Sequence, residues 1–450
     1  MASGTSTEPR SCNSAVASQG NTCRNPCSRF CSRCWGGSSR DRSVVMARNT
    51  SAVFGVVIKT PCSHKDSGIA VVIMTHSELK ASKNAGFWLM FERYPQVKAY
   101  FNQAHQQQGT QRQALANAVV AYASNLDRLE VLGDAVSLIV QKHVSLGIQP
   151  EHYPIVGECL LAAIREVLGE AASDEVLAAW GEAYGQLADL LIGAEEQNYQ
   201  LNAQMPGGWR GERSFTLQRK VRESEVITSF YLVASDGGAL PEFKPGQYVC
   251  LILQIDGQTV RRNYSLSDCP GQQHLRISVK RETGGVVSPH LHDQLNEGDE
   301  LLLTAPSGDF VLNDNTRPLV LLSGGVGITP TLSMLKPALD SGREVHFLHA
   351  ALNSEHHAFR AQVQALKQQY SNLKVSYAYS NPLPQDADQA HGFFDAAKLD
   401  QLLPAERDLD VYFLGPKPFM RNCYQVLPAL GVPAANLRYE FFGPLEDMSA

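Results

Sequence analysis

Ser323-Gly324-Gly325-Val326-Gly327-Ile328-Thr329-Pro330 decides how the C-terminal third of the chain is read. The apolar run Leu319–Leu322 ahead of it suits a buried strand, and Thr329–Leu335 behind it suits a helix. Glycines between a strand and a helix let backbone N–H groups approach a pyrophosphate at the helix N-terminus. A glycine-rich turn alone is a weak signal; with these flanks it favours a dinucleotide over a plain tight turn. Around it, strands are expected at Leu319–Ser323, Glu344–His349, Leu373–Tyr379, Asp410–Leu414 and Leu437–Phe441. Helices Thr329–Leu339, His357–Tyr370 and Lys417–Leu430 fit between them, which predicts a parallel α/β layer structure.

Upstream the period changes. From Gly207-Gly208 onward, Val226–Val233, Tyr248–Gln254, Asn263–Ser267, Leu275–Lys280 and Glu300–Thr304 read as short strands separated by Gly, Pro and Asp. That predicts an antiparallel barrel or sandwich of about 100 residues. Arg262-Asn263-Tyr264-Ser265 is chemically suggestive. An arginine can pair with a pyrophosphate, a tyrosine can lie on a flat ring, and a small hydroxyl can bond a ring nitrogen, as a flavin would require. Alternation puts Arg262 and Tyr264 on one face and Ser265 on the other unless a bend intervenes. The plainer reading is a barrel strand with one half-exposed tyrosine. Gly284-Gly285 before Val287-Ser288 could cradle phosphate, and is also an ordinary turn.

Residues 76–205 carry helical periods. Gln111–Leu126 places Leu115, Ala118, Val119 and Tyr122 on one face; Asp134–Leu146 does the same with Val136, Ile139, Val140 and His143. Pro154 opens a further helix to about Glu170. Ser173 caps a long one, with Asp174 and Glu175 in its first turn, where negative charge suits the helix dipole. Trp180, Tyr184, Leu187 and Leu191 form its buried stripe, and Glu195 lies one turn on. His143 on an apolar face is a candidate iron ligand, although a lone histidine there is more often a satisfied core residue. Tyr153 and Glu195 would change that weighting only by meeting His143 in space.

The chain has 450 residues, 44% hydrophobic and 19% charged, with a net charge of −6. This is globular composition, long enough for about two to four domains, without the basic excess of a nucleic-acid binder. The longest apolar runs near the N-terminus, Val53–Ile58 and Gly68–Met74, fall far short of the roughly 20 residues of a membrane span. Residues 1–50 hold seven Arg, no Lys and only Glu8 and Asp41 as acids, without helical or strand periodicity. They read as a disordered extension, or alternatively as an organelle transit peptide. Six of the ten cysteines precede residue 63: Cys12, Cys23, Cys27, Cys31, Cys34 and Cys62. The spacing of Cys23, Cys27, Cys31 and Cys34 matches neither a usual zinc knuckle nor the plant ferredoxin pattern. The scattered Cys159, Cys250, Cys269 and Cys423 fit a reduced, intracellular protein.

From about Met90 to Pro444 the chain resembles the flavohaemoglobins. The resemblance rests on Phe101-Asn102-Gln103-Ala104-His105, Gly109 to Leu115, Gln141-Lys142-His143-Val144-Ser145 and Glu151 to Glu158. It continues through Pro245-Gly246-Gln247-Tyr248, Arg261 to Leu266, Val279 to Glu282, Gly325 to Pro330 and Tyr439 to Pro444. The later blocks are shared with ferredoxin reductase-like flavoenzymes; the globin blocks single out the fusion. It implies an all-α globin (74–205), an antiparallel β-barrel FAD domain (209–314) and an α/β NAD-binding domain (317–450), after an extension at 1–73. It implies haem b, FAD and NADH or NADPH as cofactors, O2 and NO as small-molecule partners, and nitric oxide dioxygenase activity that makes nitrate. From charge and apolar run length no nucleic-acid or membrane partner is expected, and the chain is expected to be a cytoplasmic monomer or weak dimer, with organelle targeting only if residues 1–50 are a transit peptide.

Residue by residue, the resemblance makes His143 the haem ligand, Tyr153 and Glu195 its catalytic partners, and Lys142 its redox-influencing neighbour. Phe87, Phe101, Gln111 and Leu115 fall in the haem pocket. Tyr248, Arg262, Tyr264, Ser265, Gly285, Val287, Ser288 and Glu440 match FAD positions. Phe441, Phe442, Gly443 and Pro444 match the segment over the flavin, shared between FAD and NAD(P). Gly325, Val326, Gly327, Ile328, Thr329, Pro330, Gly415 and Pro416 match NAD(P) positions. Two departures stand out. Phe87 occupies the place of a tyrosine that bonds iron-bound oxygen, and about a helix and a half is missing before it. Leu414 stands where many relatives have cysteine. The alternatives are a flavin diaphorase with a haem-impaired globin, and a haem-based gas sensor.

Overall fold

The computed structural model describes residues 44–49, 53–59, 69–75, 89–101, 133–387 and 390–442. The sequence expectations at Phe87, Gln111, Leu115, Gly443 and Pro444, and the helix Gln111–Leu126, lie outside the described residues. The first described elements are β1 (Val44–Asn49), β2 (Val53–Lys59) and β3 (Ile69–Thr75), an antiparallel meander. This corrects the reading of residues 44–49 as free of strand pattern. β-branched runs such as Val53–Ile58 favour strands, and the Ser- and Arg-rich composition of the surrounding segment masked them.

The helical part contains α1 (Gly133–Leu146), α2 (His152–Leu168) and the long α3 (Asp174–Gln204). Ser173 caps α3 as its sequence predicts, its side chain accepting the Val176 N–H. α3 buries Trp180, Leu187, Leu191 and Glu195, a stripe at helical spacing, and α1 packs Val140 and Val144 against it.

Next comes a six-stranded antiparallel sheet in the order β7-β6-β9-β4-β5-β8. Its strands are β4 (Glu212–Arg222), β5 (Ile227–Ala234), β6 (Tyr248–Ile255), β7 (Gln258–Ser265), β8 (Leu275–Lys280) and β9 (Glu300–Thr304). It curls until a Leu266–Ile277 bridge joins its two edges, enclosing Phe215, Phe230, Leu251 and Leu303. Two corrections arise here. β4 escaped the sequence reading because charges and a bulge between Leu217 and Arg219 break its alternation. β7 begins five residues earlier than expected and ends at Ser265.

The last unit is a six-stranded parallel sheet, order β13-β12-β11-β10-β14-β15. It comprises β10 (Leu319–Gly324), β11 (Val345–Ala351), β12 (Leu373–Tyr379), β13 (Ala390–His391), β14 (Asp410–Leu414) and β15 (Leu437–Tyr439). β10 lies between β11 and β14, so the sheet order reverses beside it, at the position where open α/β sheets bind ligands. The helix expected from His357 begins instead at Arg360. Phe359 before it sits at φ 63, a left-handed conformation that ends the helical ladder.

Candidate functional site

α1 presents His143 toward α2 and α3. Its Nδ1 lies 2.7 Å from Glu195 Oε1 and 3.1 Å from the Tyr153 hydroxyl. Tyr153 donates to the same Glu195 oxygen at 2.5 Å. Three residues that the sequence could only nominate are therefore one cluster. Glu195 is 2% exposed, on a stripe of otherwise apolar residues. A buried carboxylate needs partners, and the imidazole and phenol provide them. Burial, then the Glu195 contact, raises the Tyr153 pKa, which keeps the phenol a donor. Tyr184 donates to the Tyr153 carbonyl at 2.7 Å, and Gly157 leaves room for the Tyr184 ring. With Nδ1 engaged, Nε2 on the opposite side of the ring is the nitrogen left to bind a metal. The donor set is therefore that of an oriented haem ligand. Phe101 packs with Phe91 edge to face, centroids 5.2 Å apart.

The helix carrying His143 is docked on the curled sheet along its length. Ser137 donates to Asp309 at 2.6 Å, and Gln141 accepts the Gly308 N–H at 2.8 Å. Asn263 donates to Ser145 Oγ at 2.9 Å, and Thr304 donates to the Ser145 carbonyl at 2.7 Å. Lys142 reaches Glu440 at 3.1 Å, with its ammonium 4.7 Å above the centre of the Tyr248 ring. Residues from all three units thus meet beside His143. The sequence assigned Lys142, Tyr248 and Glu440 individually. It missed Ser145 and Asn263, because a Ser–Asn pair 118 residues apart leaves no local pattern.

On β7, Ser265 lies opposite Tyr248, and Tyr264 opposite Val249, where it packs on the barrel core. The expected separation of Tyr264 from Ser265 is therefore present. Burial lowers the Arg262 pKa, and one guanidinium N–H reaches the Arg261 carbonyl at 2.7 Å. The Tyr248 hydroxyl and Glu440 Oε2 are buried without a hydrogen-bond partner among the described residues. Burial, then Glu440 and Asp309, raise the Tyr248 pKa and hold it as a phenol. Unpaired buried donors and acceptors at a meeting of three units call for a polar ligand, and a flavin dinucleotide fits. The short helix Val287–Asp293 begins just past Gly285, and Ser288 Oγ accepts the Glu282 N–H at 3.0 Å. A Cβ at Gly285 would sit tightly, 3.2 Å from the Glu282 carbonyl and from Ser288 Oγ.

Gly325, Val326 and Gly327 form a tight turn from β10 into the helix Ile328–Asp340, at whose start Ile328, Thr329 and Pro330 lie. Gly325 has φ 54. Gly415 and Pro416 follow β14 beside this turn; a Cβ on Gly415 would lie 3.1 Å from the Gly324 nitrogen. The expected nucleotide residues therefore gather at the switch point. A Cβ on Gly327 would meet the Leu414 carbonyl oxygen at 2.2 Å. Gly327→Ala is expected to cost about 2 kcal/mol of stability and to weaken nicotinamide dinucleotide binding, measured by thermal melts and by titration with NAD+. Unchanged binding would show that the turn does not seat the dinucleotide. Phe441 packs on the core beneath β15, and Phe442 is half exposed beyond it.

Comparison with known proteins agrees with this division. A globin family matches residues 85–191, an oxidoreductase FAD-binding domain residues 214–312 and an oxidoreductase NAD-binding domain residues 321–425. The chain is 57% identical over 357 residues to a flavohemoprotein of a Burkholderia species, covering 79% of this chain and 91% of that one. It is 54% identical over 362 residues to the Pseudomonas aeruginosa flavohemoprotein, covering 80% and 92%. The crystal structure of the Malassezia yamatoensis flavohemoglobin with bound FAD and heme superposes with a TM-score of 0.71 at 25% identity, covering 82% of this chain and 95% of that one. Carrying a globin, an FAD-binding and an NAD-binding unit in this order, with the His143 cluster docked on the flavin sheet, the chain belongs to the flavohemoprotein family.

Proposed function

We propose that the chain is a nitric oxide dioxygenase, which turns two NO and two O2 into two nitrates with the two electrons of one NAD(P)H. Haem b would supply oxygen binding and FAD the passage from hydride to single electrons. The protein's part is placement and electronics. His143 would hold iron through Nε2, while Glu195 and Tyr153 fix the ring and the Nδ1 proton. An acceptor behind a proximal histidine raises the electron density it gives the metal, which favours oxygen activation over reversible carriage. Tyr248, Arg262, Tyr264 and Ser265 would hold the flavin, and the Gly325–Gly327 turn the nicotinamide dinucleotide.

The observation that carries this reading is the docking of the ligand helix. Lys142 and Ser145 flank His143, and both bond residues around the flavin site. Cytoplasmic action as a monomer or weak dimer belongs to the same proposal. The described cysteines Cys159, Cys250, Cys269 and Cys423 are free thiols, as a reducing compartment allows, and no described helix is long and apolar enough to cross a membrane.

The test is consumption of nitric oxide in air by haem- and FAD-loaded protein given NADH or NADPH, with nitrate measured as product. NADH-driven dye reduction without nitrate would point to the diaphorase instead. A missing Soret band after haem addition would reject the haem assignment.

A further inference from the structure

Arg261 stands beside the flavin arginine and is not explained by the flavin. Its side chain is 10% exposed, and Nη2 donates to Glu212 Oε1 at 2.7 Å. Nε and Nη1 are buried and find no acceptor among the described residues. The guanidinium carbon lies over the Tyr100 ring, 5.0 Å from its centre, and Tyr100 immediately precedes Phe101. Nη1 would lie 3.6 Å from a Cβ on Gly147. Gly147 is the first residue past α1, four residues after His143, and turns the chain at φ 78.

The register orders the face that β7 turns toward α1. Ser265 pairs with Tyr248 at the flavin end, Asn263 bonds Ser145 in the middle, and Arg261 ends the row. Four residues of strand separate Arg261 from Ser265 by about 13 Å. Nη2 spends one of its two N–H groups on Glu212, and its other N–H runs parallel to one on Nε or on Nη1, so a fork of two parallel donors remains for a planar anion, and a carboxylate has that shape. Haem b carries two carboxylates on one edge. We infer that Arg261, a residue of the flavin sheet, binds a haem propionate across the domain boundary, so that haem loading ties the globin to the reductase. This rests on the haem reading of His143 above. Glu212 holds the guanidinium from its open side.

The experiment follows haem release. Wild-type protein and its Arg261→Gln and Glu212→Gln variants are loaded with haem b or with haem dimethyl ester, and transfer to excess apomyoglobin is timed by absorbance. Arg261→Gln is expected to speed haem b release about ten-fold, with release of the dimethyl ester and FAD content unchanged. Glu212→Gln is expected to leave haem release within about two-fold of wild type, since it removes only the outer ion pair. Equal acceleration for haem b and its ester would make Arg261 a packing residue and overturn the inference. So would FAD loss in place of haem loss, or unchanged release from protein that binds haem normally. A wild-type protein that takes up no haem would overturn the haem reading, and this inference with it.

Discussion

Glu195→Gln is expected to lower nitric oxide consumption about 10- to 100-fold while haem remains bound. Glutamine keeps the size of the side chain, and its carbonyl oxygen can still accept from His143 Nδ1, so the ring stays placed. The charge is lost. Tyr153 and Nδ1 share Oε1 as their acceptor, at 2.5 Å and 2.7 Å, and Glu195 is 2% exposed, so water screens this charge little. A neutral acceptor gives up electron density at the far nitrogen and with it the bias toward oxygen activation. Tyr153→Phe should act in the same direction more weakly, because Glu195 still holds the ring. The iron–histidine stretching frequency of the ferrous protein reads the change directly and should fall in the glutamine variant. An unchanged stretch with unchanged turnover would mean that Glu195 only fills space.

How much of this could be read in advance depends on distance along the chain. The α1 and α3 stripes are local periods, so the faces of His143 and Glu195 followed from the sequence. Their contact did not, since it depends on how α1 packs on α3 and on α2 bringing Tyr153 beside the pair. The turn at Gly325 was legible because its strand, glycines and helix are contiguous. The Lys142–Glu440 pair spans 298 residues, and only the assembled fold brings it together. Arg261 was invisible for another reason. An arginine on a barrel strand ordinarily points to water, and only its burial against Tyr100 and Gly147 marks it as unusual. The strands at residues 44–75 were lost to averaging, as short β-branched runs within polar composition.

The nucleotide-binding unit should lose stability in mild acid, and His357 should be a main cause. His357 is 4% exposed and packs between the rings of His349 and Tyr377, at 4.6 Å and 4.5 Å. Its Nδ1 meets the Tyr379 hydroxyl at 2.8 Å, and Nε2 is buried without a partner among the described residues. Burial, then the Arg360 charge, pushes its pKa down to about 3. Burial, then His357, lowers His349 as well, against the Ser323 contact that raises it. A histidine kept neutral by the fold takes up a proton on unfolding once the pH drops below its ordinary value. Its stabilisation is thus complete above about pH 6.5 and is lost as pH falls toward the folded value. From about pH 7.5 to about pH 4.5, His357 alone accounts for about 3 kcal/mol. That figure hardly depends on the folded pKa while it stays well below the lower pH. Over most of this window carboxylates remain ionised, so the loss belongs mainly to histidines. His152 and His292, also lowered by burial, lie outside the parallel sheet. Hydrogen exchange of peptides from β11 and β12, corrected for intrinsic rates, measures the local opening free energy. Wild type should lose about 3 kcal/mol more across this range than His357→Gln, which cannot take up the proton. Parallel pH profiles for the two proteins would show that His357 is not kept neutral by the fold.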